Sequence, residues 1–250
     1  MIRRAALATL CVAVTTMAGC ESSQTRSARL RAAAAKIAPE RGLRIAHVSP
    51  NVSVTATTVL TDAAAKRSVA VITLRNTSHR PLTALALLFT LTDAAGRKVF
   101  TNNSAGASTD LVSVPSLAPG ATLAWVDDAI VNVTGARRVE ARVGASTGAP
   151  RAAGAPAPSL RISGVRLERD PGGGVTAVGR IVNGSAIAQD RLVVFATARR
   201  AGRIVAAGRA VVPLLKPGHK GARFTVFFVG DPSGARLRLQ APPVRFASRG

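Results

Sequence analysis

Histidines, cysteines, nucleophilic serines and paired carboxylates are the raw material of active and metal sites, and in this chain they stand apart. His47, His79 and His219 are the three histidines. None has a Cys, Met, His or acidic residue at ligand spacing, so no metal is expected. Serine is plentiful, yet neither a Gly-x-Ser-x-Gly elbow nor a Ser-x-x-Lys motif occurs. Asp127-Asp128 is the one adjacent carboxylate pair. Neighbouring strand residues point to opposite faces, which makes a poor acid/base couple, and a solvated strand end or turn is the expected setting. Pro171 to Gly174 is glycine-rich but lacks the following Lys-Ser/Thr of a phosphate cradle. The chain is therefore expected to be no enzyme and to need no cofactor.

Charge is the remaining chemistry. Lys and Arg number 34 against 12 Asp and Glu, a formal net charge of +22. Arg199, Arg200, Arg203 and Arg209 cluster on one hairpin and are the candidates for binding an anionic partner: phospholipid, a phosphate-bearing wall polymer or lipopolysaccharide. The competing reading is a solvated face of an Arg-rich protein. The polar loop Thr101 to Asp110 is a second recognition candidate. Nucleic acid is not expected, because no Tyr, one Trp and 7 Phe leave little for base stacking.

Met1 to Arg4 is a short basic start, Ala5 to Thr16 an apolar run, and Met17-Ala18-Gly19-Cys20 its end, followed by polar residues. This pattern resembles the lipobox of bacterial lipoproteins, with Met17 where the family usually has Leu. The resemblance implies a signal peptide over 1–19 and a diacylglycerol-bearing Cys20 that anchors the chain in the membrane, facing the extracytoplasmic side. The other reading is an ordinary secretory signal cut after Ala18. Both export the protein. Cys11 lies in the discarded segment, so no disulfide framework is expected. Residues 20–44 read as a tether, in which Ser27 caps a short Ala-rich helix stopped by Pro39 and Gly42.

From Ile45 onward the pattern is β. Leu85, Leu87, Phe89 and Leu91 alternate with Ala84, Ala86, Thr90 and Thr92, as a half-buried strand requires. Asp93 to Gly96 supplies a turn, and Leu117-Ala118-Pro119-Gly120 another before the strand holding Trp125. The plan then repeats: Asn76 matches Asn183, Phe89 matches Phe195, Gly96 matches Gly202, and Pro119-Gly120 matches Pro217-Gly218. Small residues and prolines over 145–158 read as a linker between a first domain, 45–144, and a second, 159–246.

Phe89-Thr90-Leu91-Thr92-Asp93, flanked by Asn76, Gly96 and the Leu-Ala-Pro-Gly turn, resembles the Phe-x-Leu-Tyr-Asp motif of small immunoglobulin-like domains on bacterial and archaeal surfaces. Thr92 stands where that motif has Tyr, and the second copy keeps only Phe195 of it. The resemblance implies two tandem antiparallel β-sandwiches and no particular activity. The short strands and turn spacing point to an all-β sandwich independently. The expected function is that of a non-enzymatic, membrane-anchored envelope lipoprotein, a spacer or interaction module for an envelope protein or anionic polymer. The alternative is a carrier holding a lipid or small apolar ligand between its domains, motivated by an apolar fraction of 47%.

Overall fold

A computed structural model describes residues 42–104, 107–146, 157–170 and 173–246. Cys20 and most of the tether lie outside these residues, as does the central part of the 145–158 linker. The fold is all-β and antiparallel. The first half holds β1 (Val52–Asp62), β2 (Arg67–Asn76), β3 (Leu82–Thr92), β4 (Lys98–Thr101), a single helical turn α1 (Thr109–Val112), β5 (Ser113–Leu117), β6 (Thr122–Val131) and β7 (Arg138–Ser146). The second half holds β8 (Leu160–Arg169), β9 (Val175–Asn183), β10 (Gln189–Arg200), β11 (Arg203–Leu215), β12 (Gly218–Phe227), β13 (Val229–Gly230) and β14 (Arg236–Gln240).

Each half folds its strands in the same order. One sheet runs β1-β2-β6 in the first half and β8-β9-β12 in the second. The other is centred on β3, between β7 and the pair β4 and β5, or on β10, between β14 and β11. β11 is one continuous strand where the first half has β4, α1 and β5, so the polar stretch after Thr101 breaks that strand in two.

Local chemistry repeats with the topology. Asn76 and Asn183 are both fully buried at the end of the second strand of their half. The Asn76 amide donates to the carbonyls of Arg80, Leu117 and Ala118, and its Oδ1 accepts from the Ser78 N–H and hydroxyl. Asn183 donates to Ile187 and Leu215 and accepts from the Ser185 N–H and hydroxyl. One side chain thereby satisfies carbonyls from two loops that would otherwise be buried unpaired. At the β3–β4 turn the Asp93 carboxylate accepts from the N–H groups of Ala95 and Arg97, and Gly96 takes φ +78°; its counterpart Gly202 takes φ +79°. That left-handed backbone suits glycine in both copies.

The layers follow from burial. Val69, Ala70, Val71 and Ile72 are consecutive in β2 and all at most 1% exposed, as are Leu192 to Ala196 in β10. Consecutive strand residues point to opposite faces, so both sheets are covered on both sides. On β10, Leu192, Val194 and Ala196 join the core of the second sandwich with Ala177, Ile181, Phe224 and Val226. Val193 and Phe195, on the other face, join the core of the first sandwich together with Ala207 and Val229. Trp125 sits at the junction, edge-on to Phe89 at 5.8 Å and 6.4 Å from Phe195, with its indole N–H on the Ser113 carbonyl. The two sandwiches thus stack as four sheets, the β2 and β10 sheets inside and the β3 and β9 sheets outside, with one apolar core running across the junction.

Candidate functional site

The stacked sheets bring four charged side chains together at the junction. Arg209 on β11 donates to Asp128 on β6 through Nε (3.0 Å) and its backbone N–H (3.1 Å), and to Asp110 on α1 through a terminal nitrogen at 2.5 Å. Arg191 on β10 reaches the second oxygen of Asp110 at 2.6 Å. The Arg209 side chain is 11% exposed and those of Asp110 and Asp128 are 7% and 13%, so water screens these pairs little. Burial alone would push Asp110 up, but hydrogen bonds from Ser108, Arg191 and Arg209 outweigh it and hold the carboxyl well below the usual range. Arg209 is raised in turn: burial works against its charge, and the two carboxylates more than offset it.

Asp127, next along β6, is 2% exposed and accepts one bond, from the Ala129 N–H. Burial pushes it up to about 6, against the pull of that bond and of Arg209. The solvated turn expected for Asp127-Asp128 is corrected here: Asp127 is buried and Asp128 nearly so, since β6 is covered on both faces and Arg209 of the second half meets Asp128. No cluster of three or more His, Cys, Asp or Glu among the described residues is arranged to hold a metal. Of the pair, Asp128 is held by Arg209 and Asp127 accepts from the Ala129 N–H.

The four arginines nominated from the sequence part company. Arg209 is committed to Asp110 and Asp128 and drops out of any surface for an external anion. Arg199, Arg200 and Arg203 remain at the hairpin tip, Arg200 and Arg203 exposed and Arg199 half-buried. Arg199 bonds the Gly202 carbonyl and Arg200 the Ser233 carbonyl. Arg236 of β14 pairs beside Arg199, adding an exposed cation that sequence spacing did not bring into the cluster. The loop after Thr101 is held down at both ends. Asn102 is buried and bridges the Phe89 N–H to the Leu87 and Leu111 carbonyls, and Asp110 is the carboxylate that Arg191 and Arg209 share. An insertion read as a recognition rim is, at its Asp110 end, part of the junction. His47 and His79 are on the surface and His219 lies exposed on β12.

A groove of about 260 Å³ lies where the C-terminal segment crosses the first half. Leu117, Leu123, Pro81, Pro242 and Phe246 line it, the Ser116 hydroxyl bonds the Pro243 carbonyl at its floor, and the Gln240 amide closes it by bonding Thr122 and Ala124 on the edge of β6.

These features define an antiparallel all-β sandwich protein with a large cationic surface. No family model matches the sequence, and neither does any curated protein. Two solved structures of an exo-chitosanase from Amycolatopsis orientalis, one a complex with PNP-beta-D-glucosamine, are similar at 14% identity with TM-scores of 0.26 and 0.25. Each match covers 74% of this chain and 25% of that chain, so the chain spans about a quarter of those neighbours' length. At that level the likeness carries no argument.

Proposed function

We propose that the protein is a non-enzymatic envelope lipoprotein, anchored through Cys20, whose two immunoglobulin-like sandwiches form an interaction module for an anionic envelope polymer or an envelope protein. The observation that supports this reading most is the charge left over after internal pairing. Arg97, Arg166, Arg191, Arg209 and Arg245 are the arginines with carboxylate partners among the described residues. The sequence has 34 basic side chains against 12 acidic ones, and most cations among the described residues are exposed and outside these ion pairs. Such a surface attracts polyanions and loses that attraction as salt screens it.

The test is co-sedimentation of the purified full chain with isolated cell wall and with a linear phosphate polymer as salt is raised from about 20 to 500 mM. The expected result is binding at low salt that falls steadily. Absence of binding at low salt would sink the anionic-polymer reading and turn the search to a protein partner. The carrier alternative has only the apolar groove beside Pro242 in its favour. Its 260 Å³ is below the roughly 300–1,000 Å³ of pockets that enclose drug-sized ligands.

A further inference from the structure

The outer face of the β9 sheet concentrates charge in a way the sequence hides. Its arginines come from three separate strands. Arg180 on β9 lies directly opposite Arg223 on β12 and Ser163 on β8, and the next pairs along are Val178 with Thr225 and Arg166. Alternation puts all of these on the side away from the core that holds Ala177, Ile181 and Phe224. A cleft of about 420 Å³ opens there, lined by Arg166, Arg180, Arg223, Ser163, Thr225 and Glu168.

Like charges placed directly opposite across an antiparallel pair are destabilising. A face built only to be solvated would interleave the two signs. Here Glu168 is the one carboxylate in the cleft, and it is taken by Arg166 at 2.6 Å. Arg180 bonds the Lys220 carbonyl, a neutral acceptor, and Arg223 has no ion-pair partner among the described residues. Adjacent strands are about 4.8 Å apart, so the Arg180 and Arg223 guanidiniums fork into one cleft between two hydroxyls. That donor set suits a tetrahedral oxyanion: planar forks for bidentate bonds and hydroxyls for the remaining oxygens.

Resting on the reading given above and deepening it, we propose that this cleft is the binding site for a phosphate group carried by a linear polymer. The polymer source follows from extent. Arg166 lies one step along the sheet from Arg180 and Arg223. Arg161 on β8 and Lys220 on β12, both exposed, lie on the other side of that pair, toward the Asn183 end of β9, so the cations form a strip along the strands that meets successive phosphates. The hairpin tip with Arg199, Arg200 and Arg203 is a separate surface.

The experiment uses the full chain in detergent micelles and inorganic polyphosphate as probe, with R180Q/R223Q and R199Q/R200Q/R203Q as variants. Both arginines of the first variant are exposed, and removing a like-charge pair leaves Tm unchanged or higher, which establishes folding. The expected result is at least about tenfold weaker polyphosphate binding for R180Q/R223Q at 50 mM salt. The slope of log K against log salt should fall by roughly 1.4, from two contacts at about 0.7 each. Polyphosphate should raise the wild-type Tm and leave that of R180Q/R223Q unmoved, while the hairpin variant binds as wild type does. Wild-type binding that R180Q/R223Q retains overturns this site and leaves the broader function standing. Wild-type failure to bind overturns both this site and the anionic-polymer reading. Vesicles of phosphatidylglycerol and phosphatidylcholine form the last arm: if Arg180 and Arg223 strengthen vesicle binding but not polymer binding, the polymer source is overturned in favour of a lipid headgroup.

Discussion

Asp110 and Asp127 lie beside the same arginine and respond to pH in opposite directions. Asp127 keeps its proton in the folded state up to about 6, whereas the unfolded chain releases it near 3.8. Between those values the native state holds the extra proton, so stability falls as pH rises through the window and is flat above it. Two units at about 1.36 kcal/mol each put the loss at about 3 kcal/mol. Asp127→Asn keeps an oxygen for the Ala129 N–H and cannot ionise. Urea titrations from pH 4 to 7 should show this slope in the wild type and lose it in the variant, which is the more stable protein at pH 7. Asp110 has a depressed pKa, so its stabilisation is present above the unfolded value and lost as pH falls through and below about 4. Arg209→Met leaves Asp128 with only the residue-209 backbone N–H and Asp110 with Arg191 and Ser108, and is expected to cost about 3 kcal/mol by chemical denaturation. Cys20→Ser should abolish incorporation of labelled palmitate if the anchor is as proposed; a label that survives the substitution would refute it.

Among the elements, the strands, their turns and the repeat were legible because each rests on local rules: alternation in Leu85 to Leu91, a left-handed glycine at 96 and 202, and a buried asparagine closing a corner at 76 and 183. Replacing Asn76 or Asn183 by Ala leaves several buried groups unpaired, and each is expected to cost about 2–3 kcal/mol with similar loss in both halves. Gly208 was not legible. A Cβ there would lie 2.0 Å from the Phe227 carbonyl oxygen, a backbone atom that has nowhere to go. At Gly179 the nearest atom, at 2.6 Å, is the far end of the Phe224 ring. Gly208→Ala should therefore lower Tm more than Gly179→Ala does. The arginine positions were the hardest to read. Arg209 follows the hairpin cluster in the chain, but one change of strand face turns it from the surface into the junction. Arg166, Arg180 and Arg223 are far apart in sequence, and only the register of three strands makes them neighbours.

At the scale of the whole molecule, the run Leu192-Val193-Val194-Phe195-Ala196 carried a signal of its own. Unbroken apolar strands are those covered on both faces, and Val69 to Ile72 reads the same way. A sequence divided by a proline-rich linker suggests two independent sandwiches, and what it leaves out is this second covered face. Because the core crosses the junction, residues 42–246 should unfold in one cooperative transition, with near-ultraviolet and far-ultraviolet circular dichroism coincident in urea. Two separated transitions would contradict the shared core. Expressed alone, the second half would present Val193, Phe195 and Val229 to water and is expected to aggregate, and Phe195→Asp in the full protein should separate the halves' melting.

The same shared core sets an order of events during biogenesis. The strands of the first half are made before β10 and β11, which complete their cover. At about 5–20 residues per second, synthesis of the stretch from Ser146 to Leu215 takes roughly 3 to 14 seconds. Through that interval the outer side of β2 and β6 is a bare apolar sheet. That face closes when Phe195 arrives beside Trp125.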